Sequence, residues 1–342
     1  MVRGILVSLA AAGLGLVAAC DSTSQGSAVQ ELMGAAMGTS FSIKVVAAPD
    51  SVDLEAIRGQ AEQTLATIEQ QMSTYIADSE LSLFNAQRSV DWFEVSAELC
   101  TVVTEALTLS AATDGAFDVT VGPLVNLWGF GPSGQVLEPP DAELIAVLLE
   151  AIGHDALHAD CSVPALRKDL PDLYVDLSAF AKGYGVDELA ALLDAADVQN
   201  YLVEIGGELR MRGTNASGEN WGIAIESPGG IGRAVQSVVQ LTDSAMATSG
   251  DYRNYFEHDG RMYSHTIDPR TGYPVAHAAA SVTVIADTAA YADAMATALL
   301  VMGPEDGIAF AEREDIAVLF LVRDDGSFRE LASAAFHERV RA

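Results

Sequence analysis

The segment from Ala289 to Leu300 constrains the fold most, because it reads AAYADAMATALL and is apolar on nearly every side. A helix of that kind has to be buried, so the rest of the chain must pack around a helix that we predict from Ala289 to Met302. Its lone acid, Asp293, needs a partner there, and Thr297 lies four residues on, along the same side. Carboxylate and hydroxyl oxygens, completed by carbonyls and waters, suit Mg²⁺; the alternative is a helix cap or a core carboxylate satisfied by protein donors.

A second unusual segment spans residues 176–185 and reads DLSAFAKGYG. We predict that a short strand over 172–176 ends here and that a helix over about 180–196 begins. The first turn of a helix favours phosphate groups, and Lys182 lies within that turn. Its two neighbouring glycines each cost about 1 kcal/mol against alanine in a helix, which indicates close packing or a nearby ligand. The alternative is a plain strand-to-helix junction with an exposed lysine.

A third segment, residues 263–274, reads YSHTIDPRTGYP. Its beginning alternates like a strand, and the proline after Asp268 then forces the chain to turn. The Thr-Gly pair that follows is a second turn signal. His265 and Asp268 therefore lie in a rigid corner, where a histidine can act as a base or orient a phosphate. The alternative is a polar hairpin end in which both residues are structural.

The remaining pattern predicts an α+β fold with mixed, largely antiparallel sheets and packed helices. Further helices are predicted over 52–72, 96–113 and 141–152 and from Pro304 onward, with a polar loop over 72–85. Strands are predicted over 34–46, 201–205, 208–212, 221–225, 234–241, 252–257, 261–267, 282–286 and 316–322.

The N-terminus has the pattern of an exported lipoprotein. Residues 1–19 contain Arg3 and then an apolar run, which is typical of a secretory signal and is short for a membrane span of about 20 residues. The end of that run, LVAAC, resembles a bacterial lipobox, which implies lipidation of Cys20; an ordinary signal peptide with an incidental cysteine is the alternative. Residues 20–30 would form the lipidated tether and 31–342 a single domain. We expect a lipid-anchored protein of the bacterial cell envelope. Asp21, directly after the cysteine, resembles an inner-membrane retention signal of some bacteria, which implies the periplasmic face of the inner membrane.

The formal net charge of -30 excludes nucleic acid as a partner, because such binding needs a basic surface. A phosphate-bearing substrate would need a local cation, and the chain has lysine only at positions 44, 168 and 182. Cys100 and Cys161 lack metal-ligand spacing, so we interpret them as structural rather than as a redox pair; an oxidising envelope would permit a disulfide.

These segments, together with others, resemble the motifs of the ApbE family, the FAD:protein FMN transferases. The motifs follow one another in the family's order and cover most of the chain after the signal; each is weak alone, and the ordered set is specific. They are MGT at 37–39, the stretch 72–85 that begins MSTY, GAFD at 115–118, the stretch 176–183, EIGG at 204–207, ATSG at 247–250, SHTIDP at 264–269, and Asp293 with Thr297.

The resemblance implies an ApbE-like, T-fold-like domain that transfers FMN from FAD to a threonine or serine hydroxyl of a target protein, with Mg²⁺ and release of AMP. The implied metal ligands are Asp293, Thr297 and the carbonyl of Ala179. Contacts to FAD are implied for Asp176, Lys182, Ile267 and the segment Ala116, Phe117 and Asp118. Met37 and Tyr75 would pack on the flavin or its adenine. We expect Lys182, Asp268 and His265 to take part in catalysis, and the assignment of His265 as the base is our own inference.

Two other readings remain. Water could replace the target hydroxyl, which would make the protein an Mg²⁺-dependent FAD pyrophosphatase, or the protein could be a flavin-binding lipoprotein without catalysis. For the transferase, the resemblance implies acceptors among membrane redox subunits, such as those of sodium-translocating NADH:quinone reductase or Rnf-type complexes. Thr266 and the sequence Ser178-Ala179-Phe180 depart from common family residues without removing a proposed ligand.

Overall fold

The computed structural model describes residues 28–49, 52–132, 134, 136–229 and 234–341. The predicted signal sequence, Cys20 and the tether as far as residue 27 lie outside the described residues. The strands are β1 (Val29–Ala36), β2 (Thr39–Val46), β3 (Phe93–Glu94), β4 (Leu157–Asp160), β5 (Ala165–Lys168), β6 (Tyr201–Ile205), β7 (Glu208–Arg212), β8 (Trp221–Glu226), β9 (Val235–Leu241), β10 (Ser244–Gly250), β11 (Tyr255–His258), β12 (Arg261–Ser264), β13 (Ala279–Ala286), β14 (Ala317–Asp324) and β15 (Ser327–Ala332).

The helices are α1 (Leu54–Met72), α2 (Glu80–Ala86), α3 (Ala97–Ala112), α4 (Gly122–Leu127), α5 (Ala142–Leu149), α6 (Ala181–Ala195), α7 (Ala289–Arg313) and α8 (Ala334–Arg339), with a single 3₁₀ turn at His154–Ala156 between α5 and β4. Serine, threonine or aspartate side chains cap several of them; Asp53, for example, accepts hydrogen bonds from the first free N–H groups of α1. Such caps satisfy donors that have no partner within the helix.

An eight-stranded sheet forms the centre of the domain, in the order β1-β2-β6-β7-β10-β13-β14-β15. Every neighbouring pair in it is antiparallel. The predicted α+β class with largely antiparallel sheets is therefore confirmed. Smaller sheets pair β3-β5-β4, β8-β9 and β11-β12. A disulfide between Cys100 and Cys161 links α3 to the residue after β4, which agrees with a structural role for both cysteines.

Helix α7 lies in the core, as its all-round apolarity predicts. It packs against β10, β13 and α6, and its first half is almost entirely buried, including Asp293. By length and composition α7 could cross a membrane, but 61% of its most apolar window is buried inside the protein. The two predicted helices meet at Gly303, whose positive φ of 81° makes a kink just before Pro304.

Several element predictions were wrong. The strand predicted over 34–46 is the hairpin β1-β2, which reverses at Met37 and Gly38, both with positive φ, so the last residues of the predicted tether belong to the sheet. The predicted loop 72–85 contains α2, because the Ser79 hydroxyl caps its first turn. The strand predicted over 172–176 pairs with no strand in the described part of the chain. The Asn85 side chain instead bonds the N–H and the carbonyl of Val175 (2.8 Å each), and the Asp176 N–H donates to the Val119 carbonyl (2.7 Å).

Candidate active site

A lysine and two carboxylates meet where α6, β7 and α7 come together. Lys182 lies in the first turn of α6, and its Nζ donates to Glu208 Oε1 at 2.9 Å and to Asp293 Oδ2 at 3.4 Å. The Lys182 side chain is 29% exposed, whereas the side chains of Glu208 and Asp293 are 7% and 5% exposed. We call Lys182, Glu208 and Asp293 the Lys182 cluster. Solvent reaches this cluster at the lysine, whereas its two carboxylates are buried.

The charges in the Lys182 cluster do not balance, because one ammonium faces two carboxylates. Burial opposes the charge of Lys182, but the attraction of Asp293 and Glu208 outweighs it and raises the pKa of Lys182 above its usual value. Burial and the nearby Asp293 carboxylate raise the pKa of Glu208 to about 7, although Lys182 partly offsets them. Burial acts on the two groups in opposite directions, whereas the negative charge of Asp293 raises the pKa of both.

Gly183 brings α6 and α7 into direct contact. A Cβ at this position would lie 2.3 Å from the Ala289 carbonyl oxygen and 2.7 Å from Ala290 Cα. The Gly183 N–H donates to Asp293 Oδ2 at 3.3 Å, and Asp187 on α6 accepts from the N–H groups of Ala289 and Ala290 at 3.0 and 2.9 Å. The close packing predicted from the glycines of this segment is thus observed at Gly183, and it fixes Lys182 relative to Asp293.

The oxygens in and around the Lys182 cluster fit a hard divalent cation. Thr297 shares a hydrogen bond of 3.0 Å with Ser249 on β10. Because the Gly183 N–H turns to Asp293, the Ala179 carbonyl accepts no hydrogen bond within the described part of the chain. Glu208 Oε2 is buried there without a partner as well. The described residues include no group of three His, Cys, Asp or Glu suited to a metal, so Mg²⁺ would need the hydroxyl and carbonyl oxygens predicted beside Asp293.

His265 follows β12 and lies within electrostatic reach of Lys182. The backbone N–H of His265 donates to the Asn254 carbonyl at 3.0 Å, and the ring nitrogen Nδ1 lies 3.1 Å from the same oxygen. The carbonyl can only accept, so Nδ1 carries the proton and Nε2 is free to accept one. Burial lowers the pKa of His265, with a smaller contribution from Lys182 in the same direction, against the Asn254 bond and Asp251. The imidazole is therefore neutral at neutral pH.

Asp268 has its carboxylate engaged within its own turn. Its Oδ1 accepts from the backbone N–H and Nε of Arg270 at 2.9 Å each, and its Oδ2 accepts from Nη2 at 3.0 Å. Trp128 Nε1 donates to the Gly272 carbonyl at 2.9 Å and holds the turn from outside, while Ile267 makes an isolated bridge with Pro274. The bonds between Asp268 and Arg270 therefore stabilise the turn that follows His265.

The residues predicted to face the flavin lie around the start of α6. Tyr75 is 67% exposed; partial burial and the nearby Asp176 carboxylate raise its pKa. Asp176 Oδ1 accepts from the Ser178 N–H at 2.9 Å. Met37 donates its N–H to Glu69 at 2.7 Å, and its sulfur lies 3.2 Å from where a Cβ on Gly185 would be. An exposed aromatic ring, a carboxylate and a thioether therefore border one helix N-terminus.

The segment of Ala116, Phe117 and Asp118 is buried. Asp118 Oδ1 accepts from Thr120 N and Oγ1 at 2.8 and 2.7 Å, and Oδ2 accepts from His154 N at 2.9 Å. Both carboxylate oxygens are thus used to shape the loop. Residues of α7 line two cavities of about 580 and 560 Å³, and neither cavity is lined by Lys182, Asp293 or His265.

Glu208 is the member of the Lys182 cluster that the sequence motifs missed, since the motif EIGG ends one residue before it. The sequence feature that could have identified Glu208 is an acidic residue at the first position of β7, two residues before the basic Arg210. Arg210 Nη1 donates to Asp187 Oδ1 of α6 at 2.6 Å. Alternation along β7 puts both side chains on the face of the sheet that α6 covers.

The sequence model of the ApbE family matches residues 37–320, a range that contains all of the residues above. The chain belongs to the ApbE family. It is 46% identical over 336 residues to the FAD:protein FMN transferase of Vibrio cholerae, covering 98% of each chain. The solved structure of the flavin transferase ApbE from Vibrio cholerae superposes with a TM-score of 0.85 at 45% identity, over 92% of this chain and 99% of that one. The apo flavinyl transferase ApbE from Pseudomonas stutzeri gives 0.85 at 41% identity, over 92% and 98%. This ApbE-family protein is thus an enzyme of the transferase class.

Proposed function

We propose that this ApbE-family transferase moves FMN from FAD to a threonine or serine hydroxyl of an acceptor protein and releases AMP, with Mg²⁺ bound. Relatives of the chain are FAD:protein FMN transferases, and we add to that activity the bound Mg²⁺, the acceptor hydroxyl and the release of AMP. The observation that carries it is the Lys182 cluster, in which a buried Asp293 and an ammonium lie at a helix N-terminus with a neutral histidine in reach.

The reaction forms a bond between the acceptor hydroxyl oxygen and the FMN phosphorus. It breaks the bond from that phosphorus to the bridging oxygen, which leaves with AMP. We assign the hydroxyl proton to Nε2 of His265, since Nδ1 is engaged with Asn254 and a neutral imidazole is a competent base. Exposed Tyr75 offers its ring to the flavin or adenine, and Asp268 with Arg270 holds the turn after His265.

Lys182 supplies positive charge for the diphosphate at the N-terminus of α6, where backbone N–H groups also favour phosphate. Asp293, Thr297 and the Ala179 carbonyl would hold Mg²⁺, which when bound neutralises diphosphate charge as it builds in phosphoryl transfer. Both sources of charge are needed because the chain as a whole, at -30, repels anions.

Intact-mass measurement of a co-expressed acceptor domain with a threonine flavinylation motif tests the proposal. With FAD and Mg²⁺ the acceptor should gain the mass of one FMN phosphoryl unit, and EDTA should prevent the gain. AMP formed without any change in acceptor mass would instead support the pyrophosphatase, and bound flavin without AMP would support a flavin-binding protein.

We also propose that Cys20 is lipidated after removal of residues 1–19 and anchors the enzyme on the periplasmic face of the inner membrane, where membrane redox subunits would be its acceptors. The lipobox-like end of the apolar run and Asp21 support this. Metabolic labelling with a palmitate analogue should mark the wild type and leave Cys20→Ala unmarked; label on both would refute the assignment.

A further inference from the structure

Glu208 uses one carboxylate oxygen and leaves the other unused. Its Oε1 accepts from Lys182 Nζ at 2.9 Å, while Oε2 is buried and has no hydrogen-bond partner among the described residues. The side chain is only 7% exposed. A buried acceptor without a partner costs about 1–3 kcal/mol, and such groups in native structures call for an explanation such as a role in the site.

The sheet fixes Glu208 in this position. Gly206 and Gly207 turn the chain with φ values of 63° and 114°, and Glu208 begins β7 directly after them. Its neighbour Leu209 packs into the apolar cluster on the other face of the sheet. Register and alternation therefore direct the Glu208 carboxylate at α6, opposite Lys182, and leave it little freedom to turn away.

Lys182 divides its donors between Glu208 and Asp293, and the bond to Glu208 is 0.5 Å shorter (2.9 against 3.4 Å). A divalent cation on Asp293 would compete with the ammonium for the same carboxylate and would repel it. Lys182 would then need a different acceptor for the hydrogen that Asp293 now receives, because an ammonium carries three donors and accepts nothing. Within the described part of the chain, Glu208 Oε2 is a buried acceptor without a partner, and it belongs to the residue that already binds Nζ.

We propose that Glu208 is a positioning residue for the cation site. It holds Lys182 through Oε1 and takes a second hydrogen bond through Oε2 when Asp293 binds a divalent cation, so that the ammonium stays in the site without blocking the metal. This inference rests on the cation site of the proposed function. Glu208 itself is not among the predicted metal ligands.

Binding of Mn²⁺ to the full chain without FAD, followed by electron paramagnetic resonance, tests the inference apart from transfer. Glu208→Gln keeps the shape but removes the charge and one acceptor, so Mn²⁺ affinity should fall about 10- to 100-fold, as is usual for partners of ligating groups. Glu204→Gln is the matched control: Glu204 pairs with Leu209 and so lies on the opposite face of the sheet. It removes the same charge and should leave the affinity unchanged.

A second comparison separates an effect through Lys182 from a direct one. In a Lys182→Met background, Glu208→Gln should lose most of its effect on Mn²⁺ affinity; an undiminished loss would overturn the inference, as would equal losses in Glu208→Gln and Glu204→Gln or no loss in either. Failure of the wild type to bind Mn²⁺ would overturn the cation site of the proposed function and this inference with it.

If Glu208→Gln does not fold, the inference can be tested on the wild-type protein by nuclear magnetic resonance of its lysine side chains. With three lysines in the chain, ¹⁵Nζ spectra of lysine-labelled protein should resolve Lys182. Added Mg²⁺ should shift the Lys182 signal while its ammonium hydrogens still exchange slowly with water, as expected if the hydrogen bond to Asp293 is replaced by a second one to Glu208. A signal lost to rapid exchange would mean that the cation expels Lys182 into solvent, contrary to the inference.

Discussion

Gly183→Ala should destabilise the enzyme and slow it, although alanine is the better helix former. The added Cβ would lie 2.3 Å from the Ala289 carbonyl oxygen and 2.7 Å from Ala290 Cα. Both are backbone atoms, so no side chain can rotate away, and α6 and α7 must separate by roughly 1 Å to reach an ordinary contact. Overpacking of this kind costs about 1–3 kcal/mol, against a gain of about 1 kcal/mol in helix propensity. We expect a net loss of about 0–2 kcal/mol in the free energy of unfolding.

Gly59→Ala provides the matched control. Gly59 lies within α1, and a Cβ there would meet nothing within 4 Å. The same substitution should therefore stabilise the protein by up to about 1 kcal/mol. The two variants should differ by about 1–3 kcal/mol in urea unfolding, and this difference isolates the steric cost at Gly183 from the intrinsic preference for alanine.

In the wild type, Lys182 Nζ and the Gly183 N–H lie 3.4 and 3.3 Å from Asp293 Oδ2. Separating α6 from α7 would move both donors away from Asp293. A misplacement of about 1 Å in such a site can lower a rate about 100-fold. Transfer of FMN by Gly183→Ala should fall on that scale and that of Gly59→Ala should not. Equal stability and equal rates in the two variants would refute the close-packing explanation for this glycine.

Further outcomes are expected for three residues of the site. Asp293→Ala should abolish transfer while circular dichroism shows the fold retained, because Lys182 keeps Glu208 as its partner; full activity would contradict the metal assignment. Because burial lowers the pKa of His265 and protonation removes the proposed base, the transfer rate should fall with decreasing pH at a midpoint below the ordinary histidine value of about 6.5. His265→Gln should be about 10²- to 10⁴-fold slower and lack that limb, whereas an unchanged limb would assign it to another group. Tyr75→Ala should weaken FAD binding, measured by flavin fluorescence, by about 1–3 kcal/mol, roughly 5- to 150-fold; an unchanged Kd would exclude stacking on this ring.

The sequence predicts the elements whose pattern depends on burial alone. All-round apolarity identified α7 as the core helix. Glycines in the segment that forms α6 indicated close packing or a nearby ligand, and the structure shows the packing, with α7 as the partner, at Gly183. The sequence did not reveal β10, which reads SAMATSG and has no alternating pattern and a single β-branched residue, Thr248. This segment is a strand because β7 and β13 pair with it on either side. Tertiary pairing overrides weak local preference in such a segment.

At the candidate site, the residue types were easier to predict than their partners. The sequence indicates that Asp293 is buried and that Asp268 lies in a turn, but only the fold shows that Asp268 is paired with Arg270 and that Asp293 shares Lys182 with Glu208. These contacts join residues as much as 111 positions apart. No spacing rule in the sequence describes the contacts of Lys182 with Glu208 and Asp293, whereas Asp268 and Arg270 lie only two residues apart in one turn.

The three lysines show how selectively this acidic chain uses its positive charge. Lys44 is half-buried, with its Nζ 3.8 Å from Glu31 Oε1. Lys168 is fully buried, donates to the carbonyls of Asn85 and Leu173 at 3.2 and 3.1 Å, and has a pKa that burial lowers. Only Lys182 of the three lies between buried carboxylates.

Because two carboxylates face that one ammonium, the Lys182 cluster carries a net charge of -1 when both are ionised. It therefore cannot attract a diphosphate by itself, and the surrounding chain at -30 repels one. A divalent cation at Asp293 would reverse the sign of the cluster to +1. FAD should consequently bind more weakly without the cation than with it, and binding in both states should weaken as pH rises past about 7 and Glu208 loses its proton. FAD binding that is equally strong with and without Mg²⁺ at pH 8 would contradict this electrostatic account.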